Sequence, residues 1–239
     1  MKAVSTNKIP EPLATQAPRI MVCRGQGPKP TCGAEALYKG LMAEAQRMNI
    51  SVAIEPAKCG CSGSCRKGPF LSLPHMGLFY EQVKEEHIPY ILEETIQKGK
   101  ILFPLFRLNP LQSIRADLIW EKDHGCIMVM DPSTCIVQVA DYLIKFHYGE
   151  SCGKCVPCRL GIQRLSDLIE AVTQGRAPEE TLQEMESLMT LMQQAAYCAF
   201  AGKTSHIILA ILANFREEFE IHIKEKRCPS GACKIFYRP

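Results

Sequence analysis

Thirteen cysteines stand in a chain of 239 residues, and eight of them fall into two groups. In the first group, eight residues separate Cys23 from Cys32 and three separate Cys61 from Cys65. Both pairs follow short runs read as strands, at loop positions. A pair of irons bridged by sulfides takes four thiolates, two per iron. Two cysteine pairs on neighbouring loops supply that set. Gly60, Ser62 and Gly63 are small enough for backbone amides to approach the sulfides and tune their potential. Four thiolates also suit zinc, but the long first spacing favours iron. On this chemistry alone Cys59 stands open as a substitute for Cys61.

The second group is denser. Cys152, Cys155 and Cys158 recur at two-residue intervals. Such a run wraps three corners of a cubane, one thiolate per iron. No fourth cysteine follows at once, since Arg159, Leu160 and Gly161 come next. The fourth ligand must come from a distance, and Cys198, between two expected helices, is the candidate. Five cysteines remain: Cys59, Cys126, Cys135, Cys228 and Cys233. Cys228 and Cys233 bracket a Pro229–Gly231 turn shortly after His222. One imidazole and two thiolates suit a structural zinc, which needs a fourth ligand to close. Cys135 and Cys126 both qualify. The alternative is that these are free thiols, with Cys126 and Cys135 buried as small hydrophobes.

The elements that must carry these residues follow from periodicity. Ile20–Val22 and Ser51–Ile54 read as strands. Between them, Ala34–Met48 reads as a helix with Leu37, Leu41, Ala45 and Met48 on one face. Lys58–Gly68 reads as loop, and Phe70–Leu73 and Leu78–Tyr80 as a hairpin. His87–Gln97 reads as a helix stopped by Gly99. That order gives an α/β sandwich over 19–100, preceded by an arm (1–18) and followed by a linker (101–123). Cys126–Met130 reads as a last strand. Helices are expected at Thr134–Tyr148, Cys158–Thr173, Pro178–Gln194 and Ser205–Lys226, a four-helix bundle within 124–226, with a cysteine-containing tail at 227–239. The fold class is α+β. Met185, Met189 and Met192 follow helical spacing and should be core, and the scattered histidines other than His222 have no ligand spacing.

Composition excludes several classes. The formal net charge is +3, too small an excess to argue for nucleic acid or an anionic membrane. No apolar run is long enough to span a bilayer, and the first twenty residues lack the apolar stretch of a signal peptide. Clustered cysteines without those signals point to the cytoplasm and to metal or redox chemistry rather than disulfides.

Two resemblances sharpen this. Gly60-Cys61-x-Gly63-x-Cys65-x-x-Gly68-Pro69 resembles the second-pair motif of the thioredoxin-like 2Fe–2S ferredoxins. These occur in the small peripheral-arm subunit of complex I and in hydrogenase subunits. That resemblance implies a thioredoxin-like sandwich with Cys23, Cys32, Cys61 and Cys65 as ligands and Cys59 as an extra. Glu150-Ser151-Cys152-Gly153-Lys154-Cys155-x-Pro157-Cys158-Arg159-x-Gly161, with Phe215-Arg216-Glu217-Glu218-Phe219-Glu220 and His222, is similar to the C-terminal 4Fe–4S domain of the NADH-oxidising flavoprotein subunit of complex I and of bifurcating hydrogenases. It implies Cys198 as the fourth cubane ligand. The Cys228–Cys233 tail resembles that of the hydrogenase relatives, which also tend to carry a cysteine at the position of Cys135. That pairing favours Cys135, His222, Cys228 and Cys233 as the zinc set.

Between the two regions the family has a large FMN- and NADH-binding domain. Here only residues 101–123 intervene, and no G-x-G-x-x-G follows a strand. The expectation is therefore a non-catalytic electron-transfer subunit, without flavin or membrane insertion, for an NAD(P)-linked oxidoreductase of anaerobic metabolism. A flavoprotein subunit binding FMN or FAD and NAD(P), and other iron–sulfur subunits, would be its partners. The alternatives are a redox-sensing or assembly protein, and a self-contained diaphorase, which the missing nucleotide fold opposes.

Overall fold

The structure, a computed structural model, describes residues 17–24, 31–61, 65–106, 117–121 and 125–235. Nearly all of the expected arm, the Gly25–Pro30 loop, Ser62, Gly63 and part of the expected linker lie outside the described residues.

Strand β1 (Arg19–Val22) runs parallel to β2 (Ala53–Pro56), with Arg19 opposite Ala53 and Val22 opposite Pro56. A parallel pair needs a crossover, and helix α1 (Ala34–Arg47) supplies it, burying Ala34, Leu37, Leu41 and Ala45. Their spacing of three and four residues puts them on one helical face. Two further short strands are named here in chain order, β3 (Cys59–Gly60) and β4 (Leu71–Leu73). Strand β4 forms a hairpin with β5 (Leu78–Tyr80) through a 3-10 turn at Pro74–Met76. The turn closes on Gly77 at φ +64°, a value glycine reaches without steric cost. The sheet order is β2-β1-β4-β5. The helix expected at 87–97 is α-helical only at α2 (Ile88–Tyr90) and continues as a π-helical segment, Ile91–Gln97.

A second, three-stranded sheet of order β3-β7-β6 contains β6 (Leu118–Glu121) and β7 (Cys126–Val129). Strand β3 lies within the segment read as loop, and β6 within the segment read as linker. A two-residue strand is too short to show a period. In β6, Leu118 and Ile119 are adjacent and both buried, so no alternation marks it either.

The helical half comprises α3 (Ile136–Glu150), α4 (Gln163–Thr173), α5 (Thr181–Ala195) and α6 (Ala199–Lys224). Helix α4 is entered through a π-helical segment, Pro157–Ile162. Met185, Met189 and Met192 are buried in a shared core with Leu143, Leu165 and Ile208. Helix α6 starts six residues earlier than expected, because Ala199–Thr204 carries no apolar period of its own. Pro178 stands ahead of α5 rather than at its first position.

The two halves are stitched together. Cys59 pairs with Met128 and Gly60 with Ile127. Ion pairs Arg19–Asp131 and Lys58–Glu218 cross the seam, and the Ser72 hydroxyl donates to the Met130 carbonyl at 2.6 Å. A Cβ on Gly60 would collide with the side chain of Asn214 on α6, so glycine there lets β3 lie directly on that helix. Among the described residues, no helix is long and apolar enough to cross a membrane.

Candidate metal centres

The first group sits where β1 ends. The Cys23 N–H donates to the Phe70 carbonyl at 3.1 Å, and the Phe70 N–H donates to Cys23 Sγ at 3.1 Å. That reciprocal pair ties the first cysteine to the strand entering β4. Cys32 is half-buried, just before Gly33, which caps α1 at φ +75°. Cys61 and Cys65 are buried. A Cβ on Gly68 would approach Cys65 Sγ to 2.8 Å, which accounts for glycine after the second pair. Cys59 Sγ accepts the Arg24 N–H at 3.3 Å and donates to the Arg24 carbonyl at 3.2 Å. Burial pushes the Cys23 thiol up and Cys59 to about 11. For Cys65 the Cys126 contact lowers the value, but the bond to Cys61 and burial outweigh it and push the thiol to about 11. Bare, these groups are thiols, and a metal must displace their protons.

Among the described residues, the Sγ atoms of Cys61, Cys65 and Cys126 lie within 4.8 Å of one another. Two thiolates on one tetrahedral metal stand roughly 3.8 Å apart at a metal–sulfur distance near 2.3 Å. Cys61 and Cys65 are close enough to share one iron, and Cys126 meets the same limit. Cys126, weighed above as a zinc ligand for the tail, is instead in this group.

The second group lies on the loop from α3 to α4 and at the start of α6. Gly153, at φ +64°, turns the chain between Cys152 and Cys155. The Cys155 sulfur accepts the backbone N–H groups of Cys158 and Tyr197, which hold its pKa down. Burial raises that of Cys158, against a hydrogen bond from Ser151 that lowers it. Cys158 feels the charge of both Cys155 and Cys198, so the fold returns the distant cysteine to the loop. Cys198 is the N-cap of α6. A Cβ on Gly161 would meet Met192 at 2.8 Å, so glycine there lets the segment that follows the third cysteine lie against α5. Loop turn, backbone donors and the convergence of Cys155, Cys158 and Cys198, with exposed Cys152 on the same loop, suit a cubane, whose ligands bind four separate irons.

The third group is closed. Ligand atoms of Cys135, His222, Cys228 and Cys233 all lie within 4.8 Å of one another. Cys135 Sγ is 3.4 Å from His222 Nε2 and 3.5 Å from Cys233 Sγ. His222 is fully buried, and its Nδ1 hydrogen bonds to the Glu218 carbonyl at 2.6 Å. With Nδ1 carrying the proton, Nε2 presents its lone pair to the three sulfurs. The Cys233 and His222 contacts hold the Cys135 thiol well below its ordinary value despite burial. Burial opposes charge on His222, but the Cys135 sulfur overrides it and raises the imidazole to about 9. Three sulfurs and one imidazole nitrogen fit a single tetrahedral ion.

Fold and cysteine geometry define an iron–sulfur protein of mixed helix and strand. Residues 138–222 match the family described as the NADH-ubiquinone oxidoreductase-F iron-sulfur binding region. The chain is 34% identical over 109 residues to the NADP-reducing hydrogenase subunit HndC of Solidesulfovibrio fructosivorans, covering 46% of this chain and 22% of that one. It is 31% identical over 178 residues to an NADH-quinone oxidoreductase F subunit of Rhizobium meliloti (strain 1021), covering 70% of this chain and 42% of the relative. The chain thus spans under half the length of these relatives. Among solved structures, a thioredoxin-like [2Fe-2S] ferredoxin from Aquifex aeolicus is similar over 38% of this chain and 90% of its own, at 26% identity and a TM-score of 0.31.

Proposed function

We propose that this chain is a two-cluster electron relay in a flavin-dependent, NAD(P)-linked oxidoreductase such as a hydrogenase or transhydrogenase, working in the cytoplasm. In this reading Cys23, Cys32, Cys61 and Cys65 hold a 2Fe–2S cluster, and Cys152, Cys155, Cys158 and Cys198 hold a 4Fe–4S cluster. The clusters supply one-electron chemistry. The residues fix their position, bury the first, and tune both through backbone donors. The observation that carries the reading is α6. Cys198 caps it, and Asn214, sixteen residues on, packs against Gly60 beside the first cluster loop. One continuous stretch of helix, roughly 24 Å long at 1.5 Å per residue, thus touches both cysteine groups and holds them in one body.

The flavin belongs to a partner subunit that binds FMN or FAD and NAD(P), because no segment of the sequence offers the glycine-rich turn that cradles a dinucleotide. Exposed Val156, Leu160 and Tyr197 around Cys155 suit a face on which such a partner, or another iron–sulfur subunit, docks. A zinc on Cys135, His222, Cys228 and Cys233 pins the tail to the helices.

Affinity purification of the chain from its native cells, under anaerobic conditions, tests the reading. A co-purifying flavoprotein whose NAD(P)H reduces both clusters is the expected result. A chain that purifies alone, or with regulators only, supports the sensing or assembly alternative instead. Metal analysis of the purified chain should give about one zinc per chain. Cys228→Ser should lose it while both cluster signals persist.

A further inference from the structure

Six cysteines share one small buried cluster at the seam between the halves: Cys23, Cys59, Cys61, Cys65 and Cys126, with Cys32 packed against it. Four of them are assigned to iron above. Cys126 is left over, is fully buried, and belongs to β7 in the other half of the molecule.

Its position is set by backbone register. In the β3–β7 ladder Cys59 faces Met128 and Gly60 faces Ile127. Continued by one residue, the antiparallel register sets Cys61 opposite Cys126. Directly opposed residues have Cβ atoms about 5 Å apart, and here the Sγ atoms of Cys61, Cys65 and Cys126 lie within 4.8 Å of one another.

We propose that Cys126 stays a thiol and shares its one S–H between the Cys61 and Cys65 thiolates, raising the potential of the cluster they ligate. This rests on the assignment of the 2Fe–2S ligands above. Hydrogen bonds to cluster sulfurs stabilise the reduced, more negative state. A thiol is a weak donor, but its acceptors here are anionic sulfurs in a buried, low-dielectric site, where each bond counts for more. The donor comes from the second sheet, so the packing of β7 on β3 enters directly into the cluster's potential.

The test uses the full-length holoprotein, with EPR-monitored potentiometry of both clusters. Cys126→Ala should lower the 2Fe–2S midpoint. At the wild-type midpoint its reduced-to-oxidised ratio should fall about tenfold, a shift of ~59 mV for one electron. Cys126→Ser, which keeps a donor, should hold the midpoint at or above wild type. Iron content and the 4Fe–4S midpoint should not change in either variant. An unmoved 2Fe–2S midpoint in Cys126→Ala overturns the proposal. So does selective loss of that cluster, which would make Cys126 a ligand.

A second measurement leaves position 126 intact. With eight cysteines on clusters and three on zinc, Cys59 and Cys126 are the two remaining thiols, so Cys59→Ser leaves one. Its reduced-minus-oxidised infrared difference spectrum should show an S–H stretch that moves to lower frequency on reduction. A spectrum without that band overturns the proposal even if the position-126 variants do not fold. Failure of the underlying reading looks different: wild-type protein that carries no 2Fe–2S signal fails the cluster itself, whereas a wild-type signal lost only in Cys126→Ala fails the ligand set.

Discussion

At the residue scale the tail site shows how protonation and metal compete for the same atoms. In the metal-free chain the His222 imidazole is held up to about 9 beside the lowered Cys135 thiol. A raised histidine pKa contributes stability that is fully present below its unfolded value near 6.5 and is lost as pH rises through 9. Zinc needs the neutral imidazole, so it must displace that proton. The expected outcome is a zinc affinity that rises with pH more steeply below about 9, where the imidazole proton must also leave, than above it, where only thiol protons are displaced. Isothermal titration in buffers of different ionisation enthalpy would count the protons released, and a pH-independent affinity would rule this out. His222→Gln should weaken binding and remove the extra steepness below 9, leaving the slope that the thiols give. Much of this chemistry was legible in the residues. The two-residue cysteine intervals and the Cys228–Cys233 bracket after His222 carry their own geometry, because loop spacing limits where a thiolate can point. Cys126 was not legible. Its neighbours in space are 61 and 65 residues away in sequence, and only a strand pairing brings them together.

At the scale of elements, the seam between the sheets and α6 carries the strongest constraints. Gly60→Ala places a methyl against Asn214, with the β3–β7 ladder holding the backbone in place. Overpacking of this kind costs about 3 kcal/mol, and here it pushes the first cluster loop off the helix. Chemical denaturation should show that loss. Restoration by Asn214→Gly in the same chain would assign the cost to this contact, whereas an additive double variant would refute it. The Lys58–Glu218 pair is largely shielded, and Lys58 also donates to the Thr134 carbonyl at 2.8 Å. Glu218→Ala leaves the lysine charge without its partner and should cost about 2–3 kcal/mol. Lys58→Met with Glu218→Leu should cost less than that single change. The amphipathic helices were readable from period, and α1, α3 and α5 lie within three residues of expectation at either end. The short strands β3 and β6 were not readable. Two residues have no period, and a strand made by pairing with a distant partner has no local signature.

Across the whole molecule, one helix meets all three candidate metal sites. Cys198 caps α6, Asn214 abuts the first cluster loop, and His222 near its end faces the tail cysteines. A bend at Phe215, where φ is −131°, separates the last of these from the first two. In the proposed relay both cluster sites therefore adjoin the stretch of α6 before the bend, and the tail site adjoins the stretch after it. The junction of the two halves was not legible in the sequence, because it depends on Cys59–Gly60 pairing with Ile127–Met128 across a gap of about seventy positions. The most direct test of a two-cluster relay is an anaerobic reductive titration of the full chain, followed by EPR with iron and sulfide analysis on the same sample. The predicted result is about six irons per chain, two plus four, and two distinct signals that integrate to about one spin each. Four irons and a single signal in fully reconstituted protein would contradict it.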